Sequence, residues 1–375
     1  MSESAVFAGT SGLEEVFLAM TSVPNTDFLE EAGRLLLDYR AAAARHNCGP
    51  ETEVLLRFHL SDITNQAPLL RRLLGPSHGL TVMIGQPPVG NARLALEAWH
   101  WRQQTGRLQL SREDDVISVQ LENYRWLGFR TAAATAAEDS AAQTRDTLEQ
   151  FTQELERRGG KLSHNALRTW FYCRDIDNNY AGLVEARRNF FTAAGLTENT
   201  HYLASTGIEG QAENPRRLVH LDALALFGHR AEQLEYLRAP DFLPPTHRYG
   251  VTFERGTRIL YGDRSHYFIS GTASIDRDGH ILHPGQVAAQ SERMVANVAA
   301  LLERHRAALT DLKLVTVYLR DAADAPVVEK QLRRLLPDAV PRVLLKGTVC
   351  RPGWLVEMDA IGVNARGNPD FAPFR

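Results

Sequence analysis

The sequence predicts an α+β fold in which three similar modules of one chain form a pseudo-trimer, sheets inside and helices outside. The first observation is a recurring order, β-β-α-β-α-β-β, complete in the last third of the 375 residues, repeated in the middle third and fainter in the first. The second is periodicity: the helical segments carry one apolar stripe and the strands alternate, so each module is a sheet with two helices on one face. The third is burial, because the other sheet face also needs cover. Three modules supply it by packing their sheets together about a pseudo-threefold axis, as identical subunits do in a homotrimer.

Taken in order, the first module (1–105) reads as a helix over 28–46, a strand over 53–62, a helix over 67–75 and strands over 80–88 and 92–101. The second (116–235) reads as a strand over 126–135, a helix over 141–160, a strand over 166–175, a helix over 181–195 and strands over 201–207 and 216–226. The third (246–366) opens on an alternating run, 268–275, and a helix over 288–309 whose apolar side carries Met294, Val298, Leu301 and Leu302. A β-branched run over 312–321, a helix over 325–337 and strands over 342–349 and 354–363 complete it. Asp62, Asp175 and Asp321 end the central strand of each copy. A polar linker near 102–116 and a second near 236–249, with Pro244 and Pro245, are expected to run over the surface.

Composition excludes several function classes. Forty-two basic against 45 acidic side chains leave a net charge of -3, with no basic field to attract nucleic acid or an anionic membrane. Cys48, Cys173 and Cys350 lie far apart without paired spacing, which suits reduced thiols in a cytoplasm. The first residues lack a charged, apolar leader, and no run approaches the roughly 18 apolar residues of a membrane span. Neither a phosphate loop nor a strand-bound GxGxxG occurs, and His280 and His283 of HILH fit a hairpin turn with no third ligand following. No metal, nucleotide or redox cofactor is expected. The partner is a small molecule, bound by a chain that is a monomer or a weak homo-oligomer.

On the final strand Leu355, Glu357, Asp359 and Ile361 share one face, and Trp354, Val356, Met358 and Ala360 the other. Strand pattern alone leaves Glu357 equally readable as a solvated carboxylate. The equivalent places in the other copies hold His220 and Ala95, while Arg342 matches approximately Thr206. An Arg and Glu pair thus occurs once in three copies. That asymmetry predicts one competent cleft and two degenerate ones, the competent one where the third module meets the second.

These segments also carry a resemblance. FISGTASI, AAQSERMVANVAALL, VTVYLRD and PRVLLKGTVCRPGWLVEMDAIGV are similar to the signature segments of the Rid/YjgF family, which implies Rid/YjgF-like (chorismate-mutase-like) modules. Homotrimeric members hydrolyse enamines and imines with an Arg on the substrate carboxylate and a Glu on the final strand; those positions fall on Arg342 and Glu357. Over its whole length the chain resembles the chorismatases, with EAWHWRQ, ALRTWFY, ASTGI, FERGT and LVEMDAI in the same order. Chorismatases split chorismate into pyruvate and either a dihydroxycyclohexadiene carboxylate or a hydroxybenzoate. Gly271 and Cys350 resemble the hydroxybenzoate-forming type, since the hydrolytic type tends to carry Ala there. The chain departs from the relatives in lacking an Arg just after the second helix of the middle module, for which Arg187 or Arg188 would substitute, in Glu209, and in keeping Arg342.

The resemblance implies a cofactor-free conversion of chorismate to 3-hydroxybenzoate and pyruvate for secondary metabolism. Cleaving the enolpyruvyl ether needs a proton on its methylene carbon, and a desolvated, neutral Glu357 could deliver it. Cys350 is the other candidate catalytic residue, as a small cleft wall that steers the reaction; no His stands beside it to make it a nucleophile. Two substrate carboxylates call for cations, and Arg342, Arg255 and Arg168 are the candidates. Tyr172 lies on the strand of Arg168, Thr206 and Gly207 offer hydroxyl and backbone donors or an ordinary turn, and Gly271 marks a bulge or a close ligand approach. An enamine/imine deaminase built on Arg342 and Glu357, and a non-catalytic metabolite-binding protein, are the alternative readings.

Overall fold

The alternating segments of each third pair into a sheet of their own. In the structure, a computed structural model that describes residues 4–25, 27–75, 77–113, 115–131 and 137–375, the first sheet holds β1 (Ser4–Ala8), β2 (Leu13–Thr21), β3 (Glu53–Leu60), β4 (Leu80–Gly85) and β5 (Leu94–Gln103). Helices α1 (Phe28–Arg45) and α2 (Ile63–Leu74) cover it. The second sheet holds β6 (Gln109–Glu113), β7 (Val116–Gln120), β8 (Arg125–Arg130), β9 (Ala166–Cys173), β10 (Ala204–Glu209) and β11 (Val219–Phe227), with α3 (Ser140–Arg157), the one-turn α4 (Leu162–Asn165) and α5 (Ile176–Ala193). The third holds β12 (Leu234–Tyr236), β13 (Gly256–Leu260), β14 (Ser265–Ala273), β15 (Leu312–Leu319), β16 (Arg342–Lys346) and β17 (Val356–Asn364), with α6 (Val287–Arg304) and α7 (Ala325–Leu335).

Beneath extra edge strands the three sheets have one order: β2-β5-β3-β4, β8-β11-β9-β10 and β14-β17-β15-β16. The pairs β3–β4, β9–β10 and β15–β16 are parallel, and each needs a crossover helix, which α2, α5 and α7 supply. The recurring aspartates start those crossovers. Asp62 accepts from Asn65 N and Asp321 from Ala323 N, so both cap orphan amides. Asp175 sits at φ +49° and instead holds the Asn178 amide at 2.8 Å.

Four expectations need correction. Residues 4–21, which the periodicity left unassigned, form the opening hairpin that completes the first module. The 102–116 stretch is not merely a linker: Gln109–Glu113 pairs with β7, its polar composition suiting an exposed edge strand. The 236–249 stretch does not run over the surface throughout, because Leu237, Ala239 and Leu243 are buried in the core. The strand expected over 126–135 ends at Arg130, and 132–135 lie outside the described residues.

Alternation sorts each strand between two environments. Val16, Leu18, Leu56, Phe58, Leu94 and Leu96 face α1 and α2, and Leu127, Phe129, Phe171 and Leu221 face α3 and α5. The intervening residues, among them Phe17, Trp99, Trp126 and Trp170, meet in the centre in one core with the third module. Three bridges close the ring: Gly85 with Gln211, Ile208 with Val349, and Leu345 with Pro88. Each module's parallel edge strand thereby pairs with the segment after the same strand of the next.

At one end of the axis Glu15 lies 2.7 Å from Arg264 Nη1, 2.8 Å from His266 Nε2 and 3.1 Å from Trp99 Nε1, all fully buried. Burial alone would raise the Glu15 carboxyl, yet His266 and Arg264 together hold it below its ordinary value. The chain's last residues seal this end. The Phe374 ring packs 4.9 Å from Trp101 and 4.8 Å from His266, and Glu122 N donates to the Arg375 carbonyl at 2.7 Å. Arg264→Met would leave Glu15 buried without its arginine, so a loss of about 3 to 5 kcal/mol is expected, read as a lower urea midpoint at unchanged slope. A loss below about 1 kcal/mol would show that this ion pair does not clamp the modules.

Candidate active site

Strand β10 is the free edge of the second sheet, and the third module closes over it. Ser205 N donates to Ser270 Oγ (2.9 Å), Glu254 N to Leu203 O (2.9 Å) and Glu209 N to Thr348 O (3.1 Å). Glu357 emerges at this seam, where β14 and β17 slip register between Ile269 and Thr272. A Cβ on Gly271 would collide with Glu357 Oε1 and stand 3.2 Å from Thr206 Cγ2, so glycine leaves the carboxyl in the position seen, and a side chain here would displace it.

Glu357 is 5% exposed, and no donor among the described residues reaches its carboxyl oxygens. Burial above all, then the neighbouring Asp359, pushes the carboxyl up to about 8, while Arg168 and Arg255 pull the other way. Such a group stays protonated at neutral pH and is free to give its proton to a bound molecule. The void beside it, with its mouth, measures about 460 Å³.

Three guanidinium groups line that void, and none has a carboxylate partner within 4 Å among the described residues. Arg187, 1% exposed, reaches only Ser205 Oγ at 3.5 Å and leaves Nε and Nη2 without partners. Arg255 donates to Pro244 O at 3.3 Å and lies over the Tyr249 and Phe253 rings. Arg351 donates to Tyr249 O at 2.9 Å and lies over Tyr249 and Trp354. Arg187 and Arg255 are buried and Arg351 half-buried; buried cations without counter-charge are costly, and a bound anion is the natural relief.

The family model described as Endoribonuclease L-PSP matches residues 262–364. A RutC family protein of Pyrococcus abyssi is 30% identical over 95 residues, which are 25% of this chain and 75% of that protein. The chain belongs to the RutC family. A 3-hydroxybenzoate synthase of Streptomyces hygroscopicus is 26% identical over 224 residues, 52% of this chain; the match spans 63% of that relative's length. A chorismatase crystal structure superposes with a TM-score of 0.64 at 19% identity, covering 96% of this chain and 99% of that one. The three-module chorismatase fold therefore extends over nearly the whole chain, with the family segment as its third module.

Within this RutC-family fold the structure brings Glu357, Cys350, Arg255, Gly207 and Gly271 to one void. Burial, then Glu357, pushes the Cys350 thiol up to about 12, so it is a protonated wall residue facing the Tyr180 hydroxyl. Arg168 and Thr206 stand behind the void. Thr206 Oγ1 donates to Asp359 (2.8 Å) while receiving Gly271 N (3.0 Å) and Arg168 Nη2 (2.5 Å), which leaves nothing for a ligand. Arg168 also reaches Asp359 at 3.2 Å, and burial above all lowers it to about 10.

Two candidates lie elsewhere. Arg342 pairs with Val315, whose neighbour across β17 is Ala360, and so occupies the sheet face opposite Glu357; the charges nearest it are Asp338, Glu329 and Arg333. Its register partner by repeat is Ser205, one residue from the expected Thr206. Tyr172, fully buried, stacks at 4.8 Å on His220, which lines the cleft between the first two modules. Trp354, expected to face away from Glu357, lines the same void because β17 begins only at Val356.

Of the two arginines offered as substitutes, Arg187 faces the void and Arg188 is exposed, donating to Gly250 O at 2.7 Å. Tyr180, Tyr249, Phe253 and Arg351 escaped the sequence reading. A signal for part of the set existed: Ile176, Tyr180, Leu183, Arg187 and Phe191 recur on one helical face, and an arginine in an apolar stripe asks for an explanation. The HILH histidines do not converge; Asp276, Asp278 and His280 bring ligand atoms within 4.8 Å of one another in a surface turn, without His283. Among the described residues no helix is long and apolar enough to cross a membrane.

The raised carboxyl can be measured directly. Carbon-13 titration of Glu357 should give a midpoint near about 8 against an ordinary 4.5, and Asp359→Asn should lower it. Between those values the folded chain keeps a proton that the unfolded chain releases, so this group costs stability as pH rises through that window. A midpoint near the ordinary value would remove the basis for a neutral acid.

Proposed function

We propose that the chain converts chorismate to 3-hydroxybenzoate and pyruvate, with Glu357 as general acid. One observation carries the reading: a carboxyl held neutral by burial faces Arg187, Arg255 and Arg351, three cations with no carboxylate within 4 Å among the described residues. Chorismate is a dianion with an acid-labile enol ether, and its two carboxylates match fixed guanidinium groups. The name of the Streptomyces hygroscopicus relative, 3-hydroxybenzoate synthase, supports the product.

In the proposed course, Glu357 gives its proton to the methylene carbon of the enolpyruvyl group, and the ether carbon becomes an oxocarbenium ion. The substrate's own ring hydroxyl, on the carbon beside the ether, captures it as a cyclic ketal and gives up its proton; the bond from that hydroxyl oxygen to the ring then breaks as the ether-bearing ring carbon loses its hydrogen and the ring aromatises, and the hemiketal left on the ether oxygen collapses to pyruvate and 3-hydroxybenzoate. Glu357, now a carboxylate, takes back the proton released. The products together are isomeric with chorismate, so no net water or cofactor is consumed. Gly271 gives the carboxyl its room, and Cys350 shapes the wall beside it. An imine hydrolase built on Arg342 and Glu357 finds no support in the geometry, because the two residues occupy opposite sheet faces.

Purified chain mixed with chorismate alone should release pyruvate and 3-hydroxybenzoate, separated by chromatography. Glu357→Gln should lower the rate by about 100-fold or more, the usual scale of a lost general acid. The rate should fall as pH rises through about 8, where the acid loses its proton. Arg187→Ala should raise KM more than it lowers kcat. Intact chorismate would overturn the reading, and full activity in Glu357→Gln would overturn the assignment of the acid.

A further inference from the structure

The cleft between the first two modules is the counterpart of the Glu357 void, and it has a lining of its own. His220 pairs with Tyr172 as Glu357 pairs with Tyr318, so the two stand at one place in the repeat. The void there, with its mouth, measures about 1140 Å³. His220 is 7% exposed, yet among the described residues neither ring nitrogen has a hydrogen-bond partner. Arg217, 5% exposed, leaves Nη1 without one among the described residues, and Asp222 Oδ2 has Arg57 Nε at 3.8 Å, with Arg130 and Tyr172 also acting on the carboxyl. At the rim Arg130 pairs with Asp115 and Arg71 with Glu213, so their charges are already met.

Leaving a buried polar group unpaired costs about 1 to 3 kcal/mol, and here two side chains aimed into one void bear that cost. A cleft with no other purpose would replace them by apolar residues, as Ala95 does at the same place in the first module. We propose that this cleft is a second ligand site, for a small hydroxylated carboxylate whose carboxylate meets Arg217 and whose hydroxyl meets His220. A neutral imidazole offers one donor and one acceptor, which a hydroxyl complements and a second carboxylate does not. No acid stands where Glu357 stands in the other cleft, so the site binds without turnover. This inference does not depend on the reaction proposed above.

Calorimetric titration of the full chain with 3-hydroxybenzoate as probe tests it, with benzoate and phenol as arms that remove one group each. Binding should persist in Arg187→Ala and weaken about tenfold or more in Arg217→Ala. Both arms should bind more weakly than the probe. His220→Phe keeps the ring against Tyr172 but removes its nitrogens; it should weaken the probe, raise the melting temperature of the free chain and leave any chorismate turnover unchanged. It also keeps the test decisive if Arg217→Ala fails to fold. Probe binding unaffected by both substitutions, lost only with Arg187→Ala, or undetectable at millimolar probe would overturn the proposal.

Discussion

The fold depends on burying charge where three sheets meet. Glu97, Asp222 and Asp359 occupy one position in the three last strands, and all are buried. Sheets of this kind would ordinarily pack apolar faces together, and three carboxylates near one axis would repel. Arg57 and Arg168 make the arrangement possible. Both lie 4.3 Å over the Trp170 ring; Arg57 reaches Glu97 at 3.4 Å and Asp222 at 3.8 Å, and Arg168 reaches Asp359 at 3.2 Å. The stacking of Arg57 on Trp170 and the pairs Arg57–Asp222 and Arg168–Asp359 join residues of different modules. Replacing such a network by apolar side chains is often neutral for stability, but half of it is far worse than none. The modules are therefore committed to one mutual arrangement.

The same network makes the three positions chemically unequal. Glu97 has His59 at 3.1 Å as well as Arg57 and Thr316, and is held down to about 2 despite burial. Burial lifts Asp222 to about 6 against the pull of Arg57 and Arg130, and Asp359 is lifted too. Glu357 sits one step further out, beyond the reach of a direct ion pair, and feels Asp359 as a like charge. A neutral acid beside an anionic neighbour is then a product of placement. The network takes the cations Arg57 and Arg168 for its own anions and leaves Arg187, Arg255 and Arg351 unclaimed at the seam.

Much of this was legible in the sequence. Alternation and the apolar stripe report burial directly, so the main helices and the central strands of the middle and last thirds followed from them, whereas the direction of Glu357 stayed open on alternation alone and came from comparing the three copies. The opening hairpin was not, because the first module's repeat is faint and LEEVFLAM alternates only weakly. Arg342 shows the limit of repeat alignment. A one-residue error in register moves a side chain to the other face of a sheet, which is the difference between a ligand group and a neighbour of α7. Tyr249, Phe253 and Arg351 come from irregular segments, where no period exists to read. Thr206, readable in the sequence as a hydroxyl donor or part of a turn, lies on an edge strand with its bonds committed to Asp359, Arg168 and Gly271 N.

A single chain also permits what a homotrimer forbids. Identical subunits would place the same residue in all three clefts, and three raised carboxyls with three sets of unpaired arginines would each cost stability. Here the position holds Ala95, His220 and Glu357 in turn: a closed packing contact, a polar cleft without an acid, and an acid among cations. The strain of the third cleft is carried once, against a core that includes Trp99, Trp101 and Trp126 in edge-to-face contact at 5.4 to 5.9 Å and a tail that ties the modules at one end of the axis. Symmetry in the backbone and asymmetry in the side chains thus divide the work: the repeat builds three clefts with one geometry, and the charge left unpaired in each decides what it can hold.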